Sequence, residues 1–265
     1  MTDGELLDLA RSVALEAAAL VRQRRRAGVE VAATKSSPVD VVTEADRAAE
    51  ELIYSRLTRA RPDDGFLGEE GYSASSASGV TWVVDPIDGT VNFLYDLPQY
   101  AVSIAASRDG EVVAGVVVNV ASGEVFAASR GDGATLDGRP VRVREVVPLD
   151  QSLVATGFNY VREVRTLQAA AVARMLGSVR DVRRLGSAAL DLCALAAGRL
   201  DGYVEEGLNA WDLAAGGLVA AEAGARVESL RGVGGTSCVV AAPTGGYAEF
   251  LDLVRTCGFL AGERE

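Results

Sequence analysis

The segment Asp85-Pro86-Ile87-Asp88-Gly89-Thr90 places two carboxylates and a backbone carbonyl around a bend. Pro86 has no amide proton to donate and Gly89 tolerates dihedrals closed to other residues, so oxygens converge there while amides turn outward. Converging oxygens suit a hard divalent cation. If a helix opens just after Asp88, the amides of Gly89 and Thr90 also face an incoming anion, with the positive end of the helix dipole behind them. Taken alone, the pair reads equally well as a strand-end turn at Asp85 and an N-cap at Asp88.

Other carboxylates stand at comparable places. Glu69 and Glu70 follow Phe66-Leu67-Gly68 at the end of a candidate strand, Asp212 follows Trp211 at a helix start, and Asp46 falls in the first turn of a helix begun at Thr43. Each has an ordinary alternative: a solvated turn for the glutamates, an N-cap for Asp212, a capping box with Thr43 for Asp46.

Composition narrows the chemistry. The 265 residues contain no histidine, which excludes a Ser-His-Asp triad, a histidine-rich zinc site and a phosphohistidine intermediate. Lys and Arg number 26 against 37 Asp and Glu; the net charge of −11 repels nucleic acid and anionic membranes at long range. A phosphorylated compound binds such a surface only after cations offset the carboxylates, and oxygen-ligated divalent metals do that. Cys193, Cys238 and Cys257 are an odd, widely spaced set that fits reduced thiols in the cytoplasm better than disulfides or a zinc cluster. No secretory leader pattern opens the chain and no apolar run approaches about 18 residues, so a cytoplasmic protein is expected.

The elements that must position these groups follow from periodicity. Thr2 and Glu5 are spaced as a capping box before an amphipathic helix over 2–26, whose arginines at its end complement the helix dipole. A loop over 35–40 precedes a second helix reaching about Arg59. Val80 to Asp85 reads as a buried strand stopped by Pro86, with Asp85 at its carboxyl end. Stretches 101–106, 112–118 and 124–128, separated by Asp109-Gly110 and Ser122-Gly123, predict an antiparallel meander. Strands near 153–156 and 179–183 then alternate with helices near 162–176, 187–197 and 212–223. No repeat or linker divides the chain, so a single domain over 1–265 is expected.

The ordered segments Lys35-Ser36-Ser37-Pro38-Val39-Asp40 through Thr43 and Asp46, Gly68-Glu69-Glu70, Asp85 to Phe93, and Trp211-Asp212-Leu213-Ala214-Ala215-Gly216 resemble the inositol monophosphatase family in order and spacing. The resemblance covers roughly residues 35–225 and implies an α/β fold arranged as a layered α-β-α-β-α sandwich, usually a homodimer. It implies two to three Mg²⁺ ions: one held by Glu69, Asp85 and the Ile87 carbonyl, a second by Asp85, Asp88 and Asp212, and a weaker third helped by Glu69. It also implies hydrolysis of a phosphate monoester by a metal-activated water oriented by Glu69 and by Thr90 with Asp46 behind it. The amides of Gly89 and Thr90 would bind phosphate, a water near Asp212 would protonate the leaving group, and Asp88, Ala188 and Glu205 would face the polyol. Gly157-Phe158-Asn159-Tyr160 lies where relatives vary and receives no role.

Inositol 1-phosphate is the expected substrate. Histidinol phosphate, fructose 1,6-bisphosphate and phosphoadenosine compounds are the alternatives within the family, and a non-catalytic metal-responsive binding or regulatory protein is the alternative of another class. Cys193 and Arg199 have the spacing of a cysteine phosphatase, but the segment continues an apolar helical run without anion-cradling glycines. A haloacid-dehalogenase-type nucleophile pair would be Asp-x-Asp, whereas Pro86 and Ile87 separate Asp85 from Asp88.

Overall fold

The computed structural model describes residues 1–29, 31–34 and 41–262; the Lys35 to Asp40 part of the motif lies outside the described residues. The first helix, α1 (Asp3–Ala27), opens with the expected capping box: the Thr2 amide donates to Glu5 at 2.8 Å and the Glu5 amide to Thr2 Oγ1 at 3.3 Å. A short hairpin, β1 (Val31–Thr34) and β2 (Val41–Thr43), leads into α2 (Glu44–Ala60), where Thr43 and Asp46 form the second capping box.

The strands β3 (Gly65–Gly68), β4 (Ser73–Ala74) and β5 (Val80–Asp88), the short helix α3 (Thr90–Tyr95), and β6 (Ala101–Arg108) to β7 (Glu111–Asn119) follow. They are joined by β8 (Val125–Ser129), β9 (Gly133–Leu136) and β10 (Arg139–Val141). Together they form an eight-stranded sheet in the order β10-β9-β8-β7-β6-β5-β3-β4, with β6 to β8 as the predicted meander.

The second half contains β11 (Leu153–Thr156), α4 (Arg162–Met175), β12 (Asp181–Arg183), α5 (Ala188–Ala196), β13 (Gly202–Glu206) and α6 (Ala210–Glu222). It closes with β14 (Ala225–Arg231), β15 (Ser237–Pro243) and α7 (Tyr247–Cys257). Its five strands pair in the order β12-β11-β13-β15-β14.

Alternation along the strands determines the layers. Val84, Val102 and Val116 face Leu6, Ala10, Ala17, Ala49 and Ile53 of α1 and α2. Their neighbours Val83, Ala101 and Val117 face Ala189, Cys193, Ala215 and Val219 of α5 and α6. Those helices pack their other side, through Leu192, Leu195 and Ala220, on Ala155, Tyr203 and Val239 of the second sheet. Val154, Val204 and Val240 then meet Ala171, Met175, Phe250 and Val254 of α4 and α7. The result is the expected α-β-α-β-α sandwich.

Small residues let the central layer approach closely. A Cβ on Gly115 would lie 2.9 Å from the Ala215 Cα, and one on Gly216 would lie 3.0 Å from the Ala189 carbonyl oxygen.

One boundary differs from the sequence expectation. Pro86 does not stop β5, whose pairing runs from Asp85 opposite Ser103 to Asp88 opposite Ala101 across a register shift. The extra residue is a bulge, where a proline without an amide proton costs no ladder bond. The bulge brings the segment from Asp85 to Asp88 to the rim of the sheet.

Candidate active site

The described residues Glu69, Asp85, Ile87, Asp88, Gly89, Thr90, Ala188, Glu205 and Asp212 all line one cavity of about 350 Å³ between the two sheets. Five elements meet here: the turn after β3, the bulge of β5, the first turns of α5 and α6, and the end of β13. Asp46 does not line the cavity but stands directly behind Thr90.

Asp85, Asp88 and Asp212 each offer a carboxylate oxygen, and these oxygens lie within 4.8 Å of one another. Asp85 is 1% exposed and Asp88 is 8% exposed. Among the described residues, no Lys or Arg pairs with any of the three. Burial, then the charges of Glu69, Asp88 and Asp212, hold the Asp85 carboxyl well above the usual range. Burial followed by the Asp88 charge pushes Asp212 up to about 8. Buried carboxylates this close without a cation repel one another; an oxygen-ligated divalent ion removes that cost. The donor set therefore fits Mg²⁺, with Ile87 adding a carbonyl.

Each carboxylate is oriented from outside the cluster. Asp88 accepts from Ser187 Oγ at 2.5 Å and from the Ala189 amide at 2.8 Å. Burial raises Asp88 to about 6 despite those donors. Asp85 accepts from the Ile87 amide at 3.0 Å, inside the bulge. Asp212 accepts from the Asn209 amide at 2.6 Å in a capping box and also offers an oxygen to the cluster. The capping alternative and the ligand reading are thus compatible, since Asp212 takes part in both the capping box and the cluster.

Behind the cavity, Asp46 Oδ2 accepts from the Thr43 amide at 2.8 Å and from the Thr43 hydroxyl. Its Oδ1 lies 3.2 Å from Thr90 Oγ1, which also reaches the Ile87 carbonyl at 3.0 Å. Burial pushes Asp46 up to about 6. Gly89 caps α3 in the left-handed region at φ 92°, and a Cβ there would lie 2.8 Å from the Gln99 carbonyl oxygen. On the opposite wall Tyr203 Oη donates to Glu205 at 2.8 Å, and burial raises Glu205 to about 7.

Several features were missed by sequence reasoning. Ser187 is legible as the N-cap of α5, donated to by the Leu190 amide at 3.3 Å, but its bond to Asp88 joins distant segments. Arg184, Phe158, Asn159 and Tyr160 line the cavity beside Glu205, so the unassigned loop belongs to its rim. Glu70 is not among the lining residues; its amide donates to Glu50. Cys193 lies fully buried on α5 with its thiol pushed well up by burial, and Arg199 pairs with Glu124, so no cysteine nucleophile forms there.

The layered sandwich carries an oxygen-only cluster that could hold a divalent cation. A model of the inositol monophosphatase family matches residues 3–255. The inositol-1-monophosphatase SuhB of Mycobacterium tuberculosis is 49% identical over 265 residues, covering 93% of this chain and 91% of that one. The solved structure of Mycobacterium tuberculosis SuhB superposes with a TM-score of 0.84 at 45% identity, covering 97% and 98% of the two chains. The Nus factor SuhB of Pseudomonas aeruginosa is 39% identical over 234 residues, 86% of each chain. The chain belongs to the inositol monophosphatase family, a family of phosphatases.

Proposed function

We propose that this chain is a Mg²⁺-dependent phosphomonoesterase that converts inositol 1-phosphate to inositol and phosphate, in one catalytic domain spanning residues 1–265. The observation that carries the reading is the carboxylate cluster of Asp85, Asp88 and Asp212, with which no Lys or Arg among the described residues pairs, beside Glu69 in one cavity. Glu69, Asp85 and the Ile87 carbonyl would hold one ion and Asp85, Asp88 and Asp212 a second, with Glu69 helping a third. Bound there, the ions supply acidity to the attacking water and offset charge on the phosphate and the leaving oxygen.

The chain's own groups do the rest. Thr90 Oγ1 donates toward Asp46 Oδ1 or the Ile87 carbonyl, leaving its lone pairs to orient a water, and Glu69 takes part in the same orientation. Gly89 and Thr90 amides bind phosphate oxygens. A water at Asp212 delivers the proton to the leaving alkoxide. Asp88 and Glu205 accept hydrogen bonds from ring hydroxyls, with Ala188 leaving space beside them. Arg184 is the one described cation lining the cavity.

The substrate reading rests on Glu205 and on relatives that bear the inositol-1-monophosphatase name. A small phosphorylated polyol, rather than nucleic acid or a membrane surface, suits the charge of −11. No described helix is long and apolar enough to cross a membrane. A cytoplasmic homodimer is supported by the family resemblance and, for the compartment, by three buried unpaired cysteines.

One relative is named a Nus factor, which favours a second, non-catalytic reading as a binding or regulatory protein. The complete carboxylate set supports catalysis over it. A panel of inositol 1-phosphate, histidinol phosphate, fructose 1,6-bisphosphate and phosphoadenosine phosphate tests the assignment. The highest kcat/KM is expected for inositol 1-phosphate; a higher value for another ester moves the activity within the family, and no release from any member favours the regulatory reading.

A further inference from the structure

Helix α2 carries a second carboxylate on the face that bears Asp46. Glu50 follows it by one helical turn and is 0% exposed. The rest of that buried stripe, Ala49, Ile53 and Leu57, is apolar, so a carboxylate at position 50 is costly unless bonded. Its two oxygens accept from the turn that bears Glu69: Oε2 from the Glu70 amide at 2.7 Å and Oε1 from the Tyr72 amide at 3.0 Å. The space for this carboxylate exists because position 68 is glycine: a Cβ there would lie 2.6 Å from the Glu50 carboxyl carbon.

The turn is anchored on its other side by the Glu69 amide, which donates to the Val84 carbonyl at 3.2 Å, one residue before Asp85. Gly68 also pairs with Val84 in the parallel ladder. The peptides before and after Glu69 are therefore fixed, one to β5 and the other to α2. The turn thereby carries Glu69 to the wall of the cavity that Asp85 also lines.

We propose that Glu50 is a positioning residue for the cation site, gripping the turn over 70–72 so that Glu69 stays aligned with Asp85. Helix α2 then serves the site twice, through Asp46 behind Thr90 and through Glu50 behind Glu69. The inference rests on the reading of Glu69 as a cation ligand. Groups that hold a ligand in place typically contribute 10- to 100-fold in metal affinity.

Glu50→Gln keeps the shape but sets an NH₂ against one of the two amide donors. Gly68→Ala displaces the Glu50 carboxylate without altering any charge, and it carries the test should Glu50→Gln fail to fold. Mg²⁺ affinity is read by calorimetry on the full chain, and hydrogen exchange is read at the Glu70 and Tyr72 amides. Expected are a cooperatively folded protein, faster exchange at those amides, Mg²⁺ affinity weaker by about 10-fold or more, and an unchanged KM for substrate at saturating Mg²⁺. Faster exchange with wild-type Mg²⁺ affinity in both variants would reduce Glu50 to a structural residue and overturn the proposal. Glu69→Gln separates the two failures: wild-type Mg²⁺ affinity in that variant would remove Glu69 from the ligand set, and the role of Glu50 with it.

Discussion

Asp88 and Ser187 stand 99 residues apart in the chain and 2.5 Å apart in space. The bond joins the bulge of β5 to the first turn of α5, and so ties the first sheet to the central helices at the point where the carboxylates meet. A hydrogen bond to an ionised group contributes about 1.5–3 kcal/mol.

Ser187→Ala is expected to lower unfolding free energy by about 1–2 kcal/mol, because Asp88 keeps the Ala189 amide but loses its hydroxyl donor. Urea denaturation measures this. Asp88→Asn is expected to leave circular dichroism unchanged while phosphate release falls on the order of 100-fold or more, the scale of removing one preorganised electrostatic group.

Gly157 backs the wall of the cavity that bears Glu205. A Cβ there would lie 1.9 to 2.2 Å from the Glu205 carboxylate, so Gly157→Ala must swing that side chain away. The KM for inositol 1-phosphate is expected to rise on the order of 10-fold, about 1.4 kcal/mol, with kcat changed less. Steady-state kinetics at saturating Mg²⁺ checks it.

The raised carboxyls give the metal-free protein a definite pH dependence. Asp46 is raised from 3.8 to about 6 and Asp212 from 3.8 to about 8, so the native state retains protons that the unfolded chain releases. Stability from these groups is full below about pH 4 and is lost as pH rises through 6 and then 8. In EDTA the melting temperature is expected to fall between about pH 5 and pH 8. Saturating Mg²⁺ is expected to raise it by an amount that grows over the same window, since binding requires deprotonated ligands. Thermal scans with and without the ion read both slopes.

Gly115→Ala tests the layering. The added methyl meets the Ala215 backbone of α6, which has no flexible end to yield. A loss of about 1–3 kcal/mol is expected in chemical denaturation.

The acidic motifs were legible because their chemistry demands particular residue types at short spacings. The capping boxes at Thr2 and Thr43 and the helices of α1, α2, α4 and α5 were legible because their signals are local. Strand pairing between β13, β14 and β15 was not, since Tyr203 opposite Ala241 and Val227 opposite the same residue are tertiary choices. Pro86 misled as a strand stop because a bulge tolerates it. Glu50 carried no signal either: its partners lie 20 and 22 residues away, and an acidic residue on a helix usually faces solvent.

In the proposed function the buried acidic cluster works through Mg²⁺ on a phosphate monoester. Phosphate release from inositol 1-phosphate, measured after EDTA treatment and again after Mg²⁺ is restored, tests it most directly. Release that EDTA abolishes and Mg²⁺ restores in a saturable way is expected. Release that persists undiminished in EDTA would contradict it.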